Sequence, residues 1–189
     1  MTVHIKMGLE LSKQKKITIT NLKAVLQGVI TGVGRACLAP SFATRQRWFG
    51  TSAGTVVASM TKMKQFVEGC ATIYVEYRND PQGFAYVYSD AMRKSMKCGT
   101  FIVYVNDLFF RTINFTHAEN LHMSHQNTLG VQILTLAHEL SHLVLGTNAS
   151  GSPYSIEHYE NNALLLVGTN PVYAAHNADN FGYCIEECS

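Results

Sequence analysis

At 189 residues, 47% of them hydrophobic, the chain is long enough to bury a sizeable core within one domain. A formal charge of +2 is spread thinly, and its densest basic cluster is only Lys13, Lys15 and Lys16, so nucleic acid is excluded as the expected partner. The most apolar stretch, Leu22 to Ala39, is interrupted by Lys23, Gln27, Arg35 and glycines, which excludes a membrane span on composition.

The first twenty or so residues alternate polar and apolar character without an apolar core or a small-residue cleavage site, so no secretory leader is expected. Ile17-Thr-Ile-Thr is a short strand-like alternation, and Asn21 then caps a helix running to about Leu38, where Ala39-Pro40 ends it. Residues 1–44 read as an arm and helix leading into a main region over 45–187, all of it one domain. Thr51 or Ser52 caps a second helix to Glu68, with Val56, Val57, Met60, Met63, Phe66 and Val67 as its buried stripe. From Ala71 the period drops to two: Thr72–Tyr77, Phe84–Tyr88 and Thr100–Val105 predict three strands of a small antiparallel sheet. A polar loop containing His117, His122 and His125 follows, and the fold class is α+β, mainly helical.

The next helix, Asn127 to Leu145, carries His138-Glu139-Leu140-Ser141-His142 within an apolar frame of Val131, Leu134, Leu136, Ala137, Leu140, Leu143 and Val144, with Gly146 as its stop. Residues four apart lie on one helix face, so both imidazoles address one point, where a divalent metal satisfies them. Two neutral imidazoles and one further protein ligand leave zinc a position open to water, whose pKa falls from far above the physiological range to about 7. Glu139 is the candidate base that takes that proton and returns it to the leaving amine.

After Gly146-Thr147 the chain reads His158-Tyr159, Asn170-Pro171 and Asn177-Ala178-Asp179-Asn180-Phe181-Gly182-Tyr183, across segments Tyr159 to Gly168 and Pro171 to Glu187 that read as two helices. Five cysteines, Cys37, Cys70, Cys98, Cys184 and Cys188, cannot all pair within a monomer. Cys184 and Cys188 stand at helical spacing with no second Cys or His pair beside them in sequence.

These motifs, with Trp48-Phe49-Gly50 and Cys98-Gly99-Thr100 upstream, resemble the aspzincin zinc endopeptidases, the deuterolysins and peptidyl-lysine metalloendopeptidases. The resemblance implies a zincin-like domain with one Zn2+, Tyr159 as a donor to the developing oxyanion, and Asp179 lining the pocket for the side chain after the cleaved bond. Its lysine-cutting members place a second acidic residue where Gly182 stands here, so lysine preference does not carry over. Nor does the family's third ligand, an Asp after Gly-Thr, because the loop from Gly146 to Tyr159 holds none. Glu157 is the first substitute, followed by Glu186, with Asp179 and His158 behind them.

The expected function is a monomeric zinc metalloendopeptidase acting on protein or peptide substrates. Its expected setting is that of a toxin-like effector, delivered without a classical leader and accompanied by a secretion apparatus or an immunity protein, with a cytoplasmic enzyme as the alternative. The competing readings are an inactive zinc-binding module for peptides or cell wall, and a zinc amidase acting on a non-protein amide.

Overall fold

The computed structural model describes residues 2–6, 15–69, 72–77, 85–87, 100–105, 109, 128–148, 153 and 160–189. A strand, β1 (Thr2–Lys6), precedes the long helix α1 (Lys15–Ala36), and a 3-10 turn over Ala39–Ser41 leads to α2 (Phe42–Phe49). A second 3-10 turn, Gly50–Ala53, leads to α3 (Val56–Gly69). Strands β2 (Thr72–Tyr77), β3 (Ala85–Tyr86) and β4 (Thr100–Val105) follow. Helices α4 (Thr128–Leu145), α5 (Glu160–Thr169), α6 (Pro171–Ala174) and α7 (Ala178–Glu187) complete the described elements. The protein is a mainly helical α+β fold with a small sheet.

Ile17 to Thr20 lie inside α1, not in a strand. Their β-branched side chains cost a helix only a few tenths of a kcal/mol each. That is too little to stop a helix whose following turns bury Leu22, Val25, Leu26, Val29, Val33 and Ala36. The short helix α2 escaped the hydrophobic pattern because its buried residues, Arg45, Trp48 and Phe49, include a cation. Arg45 is nevertheless satisfied: its guanidinium donates to the carbonyls of Ala36, Leu38 and Ala53 and ties the end of α1 to both turns.

The sheet runs in the order β1-β2-β4-β3. The expected antiparallel sheet is corrected on strand direction: β1 pairs parallel with β2, β2 pairs parallel with β4, and only β3 pairs antiparallel, on β4. Alternation tells which face of a strand is buried, but it is silent about the direction of the neighbour. The expected helix from Pro171 to Glu187 is also broken. Asn177 adopts an extended conformation (φ −94°, ψ 126°), and α7 begins afresh after it.

The core gathers the apolar faces of α1, α3 and α4 with Phe181, Tyr183, Cys184 and Ile185 of α7. Two glycines one turn apart on α1 permit this. A Cβ on Gly28 would collide with the Ile133 side chain of α4, and one on Gly32 with the Ile185 carbonyl of α7. No single helix among the described residues is long and apolar enough to cross a membrane.

Candidate metal centre

Helix α4 buries Ile133, Leu134, Leu136, Ala137, Leu140 and Leu143, which fixes its rotation about its axis. His138 and His142 are one turn apart on it, with ring centroids 4.5 Å apart and planes at 84°. Their Nε2 atoms face each other at 2.9 Å. With the Glu139 carboxylate they form a group of donor atoms within 4.8 Å of one another. Glu139 is buried, at 6% exposure, so its carboxyl group lies beside the two rings in a site largely withdrawn from water.

The protonation of both rings follows from what their other nitrogens meet. His138 Nδ1 stands 2.9 Å from Asp179 Oδ1, and a carboxylate can only accept, so Nδ1 carries the proton. His142 Nδ1 stands 2.8 Å from the Thr147 carbonyl, again an acceptor. A chain of hydroxyls agrees with that assignment. The Ser141 hydroxyl donates to the His138 carbonyl at 2.8 Å, so the Thr147 hydroxyl must donate to Ser141 across 2.9 Å. Thr147 Oγ1, 3.2 Å from His142 Nδ1, is thereby left only to accept.

With Nδ1 of each ring against a fixed acceptor, the two Nε2 atoms are left to face the same small space. Two ring nitrogens at 2.9 Å need a proton or a metal ion between them. Nitrogens bound to zinc at about 2.0–2.1 Å in tetrahedral geometry stand ~3.3 Å apart. A few tenths of an ångström of opening would therefore admit the ion, and the residues present fit it.

Asp179 is delivered to His138 by the way α7 crosses α4. Gly182, one turn further along, lets the helices close up: a Cβ there would stand 3.1 Å from the Leu134 carbonyl and 3.5 Å from His138 Cβ. Asn180 is fully buried and donates to the Trp48 and Ala163 carbonyls, while its own oxygen accepts from Asn177. Trp48 stacks on Tyr183 at 4.6 Å, and Phe49 meets Phe181 at 5.0 Å. The Trp48-Phe49-Gly50 and Ala178-Asp179-Asn180 segments, far apart in sequence, are thus one packing unit whose product is the position of Asp179.

Asp179 was expected to line a substrate pocket or to serve as an alternative metal ligand. Its Oδ1 engages His138 Nδ1, and its Oδ2 is buried with no hydrogen-bond partner among the described residues. Glu186 lies seven residues further along α7, roughly 10 Å along the axis. It is not part of the donor group around the two imidazoles. Glu157, His158 and Tyr159 lie outside the described residues, as do His117, His122 and His125. Sequence reasoning missed the parts played by Thr147 and Ser141. Their only signal was a small polar residue between the histidines and a Gly-Thr directly after the helix.

No family model matches the chain, and no curated protein matches it. Among solved structures, a zinc peptidase from Grifola frondosa is similar at 21% identity with a TM-score of 0.59, over 92% of this chain and 96% of that one. The chain therefore has the fold of a zinc peptidase.

Proposed function

We propose that the protein is a zinc metallopeptidase of the aspzincin kind, its catalytic region spanning residues 45–187. One observation carries the reading: two imidazoles with their Nδ1 atoms against fixed acceptors and their Nε2 atoms converging at 2.9 Å beside a buried carboxylate. His138 and His142 would hold the ion. Zinc bound there supplies Lewis-acid polarisation of the scissile carbonyl and of water.

The chain's own groups perform the rest. Glu139, buried beside the two imidazoles, accepts a proton from the attacking water and delivers it to the departing amine. Asp179 holds His138 in the tautomer that offers Nε2, and the Thr147 carbonyl does the same for His142. Tyr159 donates to the charge that develops on the carbonyl oxygen, an interaction worth most in the transition state. Glu157 is the proposed third ligand, close in sequence to that tyrosine.

The test uses purified protein, denatured casein or a peptide library, and a chelator. Glu139→Gln and Glu139→Ala should keep stoichiometric zinc and lose about 10²–10⁴-fold of the cleavage rate. Zinc binding without cleavage by the wild type would identify an inactive binding module. Intact peptides with cleaved cell-wall fragments would identify an amidase. Glu157→Ala should weaken zinc more than Glu186→Ala, and the reverse order would move the ligand to α7.

A further inference from the structure

We propose that Asn148, which lies outside the His-Glu-x-x-His motif, is the positioning residue that sets both metal-binding imidazoles at once. The inference rests on the metal reading above.

The argument begins with the backbone. Helix α4 is closed by Gly146 at φ +67°, its N–H bonded to the His142 carbonyl at 3.0 Å. Asn148 then takes φ +49°, a left-handed conformation that asparagine tolerates better than most side chains. The plane of the peptide between Thr147 and Asn148 is set in part by that φ, and its carbonyl is the acceptor that holds His142 Nδ1 at 2.8 Å. The conformation of Asn148 therefore aims the group that orients one ring.

Its remaining bonds reach the other ring. The Asn148 N–H donates to the His176 carbonyl at 3.2 Å. Its Nδ2 donates to Asn177 Oδ1 at 3.4 Å, and its Oδ1 accepts from the Ala178 N–H at 2.7 Å. Asn177, at the N-cap position of α7, makes no side-chain capping bond of its own. The first turn of α7 is thus capped by a side chain from a distant loop. The next residue after Ala178 is Asp179, which holds His138. One amide ties the carbonyl that orients His142 to the helix start that orients His138.

Three variants test this: Asn148→Ala, Asn148→Gly, which keeps the positive φ at no steric cost, and Asn148→Asp, which keeps the capping oxygen. Two readouts are taken. Zinc affinity comes from competition with a chromogenic chelator. The ring tautomers of metal-free protein come from 15N shifts of labelled histidine. Asn148→Ala and Asn148→Gly should bind zinc about tenfold more weakly, within the range known for groups that orient metal ligands. Both should also show mixed tautomers at His138 and His142, and Asn148→Asp should restore both readouts. The glycine variant keeps the test open if the alanine variant does not fold. Unchanged zinc affinity and tautomers in the Gly and Ala forms, even with a lowered melting temperature, would reduce Asn148 to a structural role and overturn the inference. A wild type that takes up no metal would sink the metal reading itself, a different and separately visible failure.

Discussion

His142 is held by its own neighbourhood and His138 by a distant one. The first ring donates to a backbone carbonyl five positions on, the second to a carboxylate 41 positions on, carried by another helix. A backbone acceptor is present in any sequence that makes the turn. A side-chain acceptor exists only if Asp179 is there and α7 is packed correctly. The difference teaches that half of the candidate metal centre is encoded locally and half is encoded in helix packing, and that the two halves should fail in different ways.

The largest separation should come from Asp179→Ala against Thr147→Ala. Removing Asp179 strips His138 of its orienting acceptor and should weaken zinc binding by about 10–100-fold. Thr147→Ala removes the hydroxyl that donates to buried Ser141 and stands 3.2 Å from His142 Nδ1, but leaves in place the carbonyl that accepts from the same nitrogen at 2.8 Å. It should cost about 1 kcal/mol of stability and leave zinc affinity nearly unchanged. Chelator competition and urea unfolding on the same samples check both. Equal losses of affinity in the two variants would remove the distinction between a locally held ring and a packing-held one.

A smaller effect is expected from Gly182→Ala, which tests the packing half without touching a polar group. Alanine is favoured over glycine inside a helix by about 0.8–1.0 kcal/mol. The added methyl would stand 3.1 Å from the Leu134 carbonyl, tighter than ordinary contact, so α7 must give way by a few tenths of an ångström. These terms oppose each other, and the melting temperature should move little. The displacement acts directly on Asp179, so zinc affinity should fall, by less than in Asp179→Ala. A variant with altered stability and wild-type affinity would show that the His138 ring does not depend on how closely α7 approaches.

The same division explains what the sequence revealed. The ring pair, the helix that carries it and the strands Thr72–Tyr77 and Thr100–Val105 are written in local periods of 3.6 and two, and their bounds are those expected within a residue or so. The contact of Asp179 with His138 has no local signature. Nothing in Ala178-Asp179-Asn180 says that the aspartate meets a ring on α4 while the next residue holds Trp48. The parallel pairing of β1 with β2 is likewise a property of the partner and not of either strand. Ile17-Thr-Ile-Thr misled because a weak local preference for strand was outweighed by the burial available to the rest of α1.

The smallest expected effect lies toward the end of α7, where Cys188 stands roughly 13 Å from Asp179 along the helix and Cys184 one turn before it. Cys184 and Cys188 are both free there. The Cys184 thiol hydrogen-bonds to Cys188 and, helped by Ser41 and Thr44, draws it from 9.0 down to about 7, against the opposing influence of burial and of Glu187. Cys184 is held well above the usual thiol range, by that same hydrogen bond first and by burial second. Between pH 7 and 9 the unfolded chain keeps a proton on Cys188 that the folded chain has released, so stability from this group rises with pH across that window and is lost as pH falls through about 7. The raised Cys184 acts with the opposite sign and only above 9, where the unfolded thiol ionises while the folded one does not. Urea midpoints should therefore climb from pH 7 toward 9 in the wild type and stay flatter in Cys188→Ser. Zinc affinity should be the same in both proteins at each pH, because the half of the centre that depends on α7 draws on its first turn and not on its last. A zinc affinity that followed the Cys188 titration would instead make the whole helix, and not its first turn, the unit that positions His138.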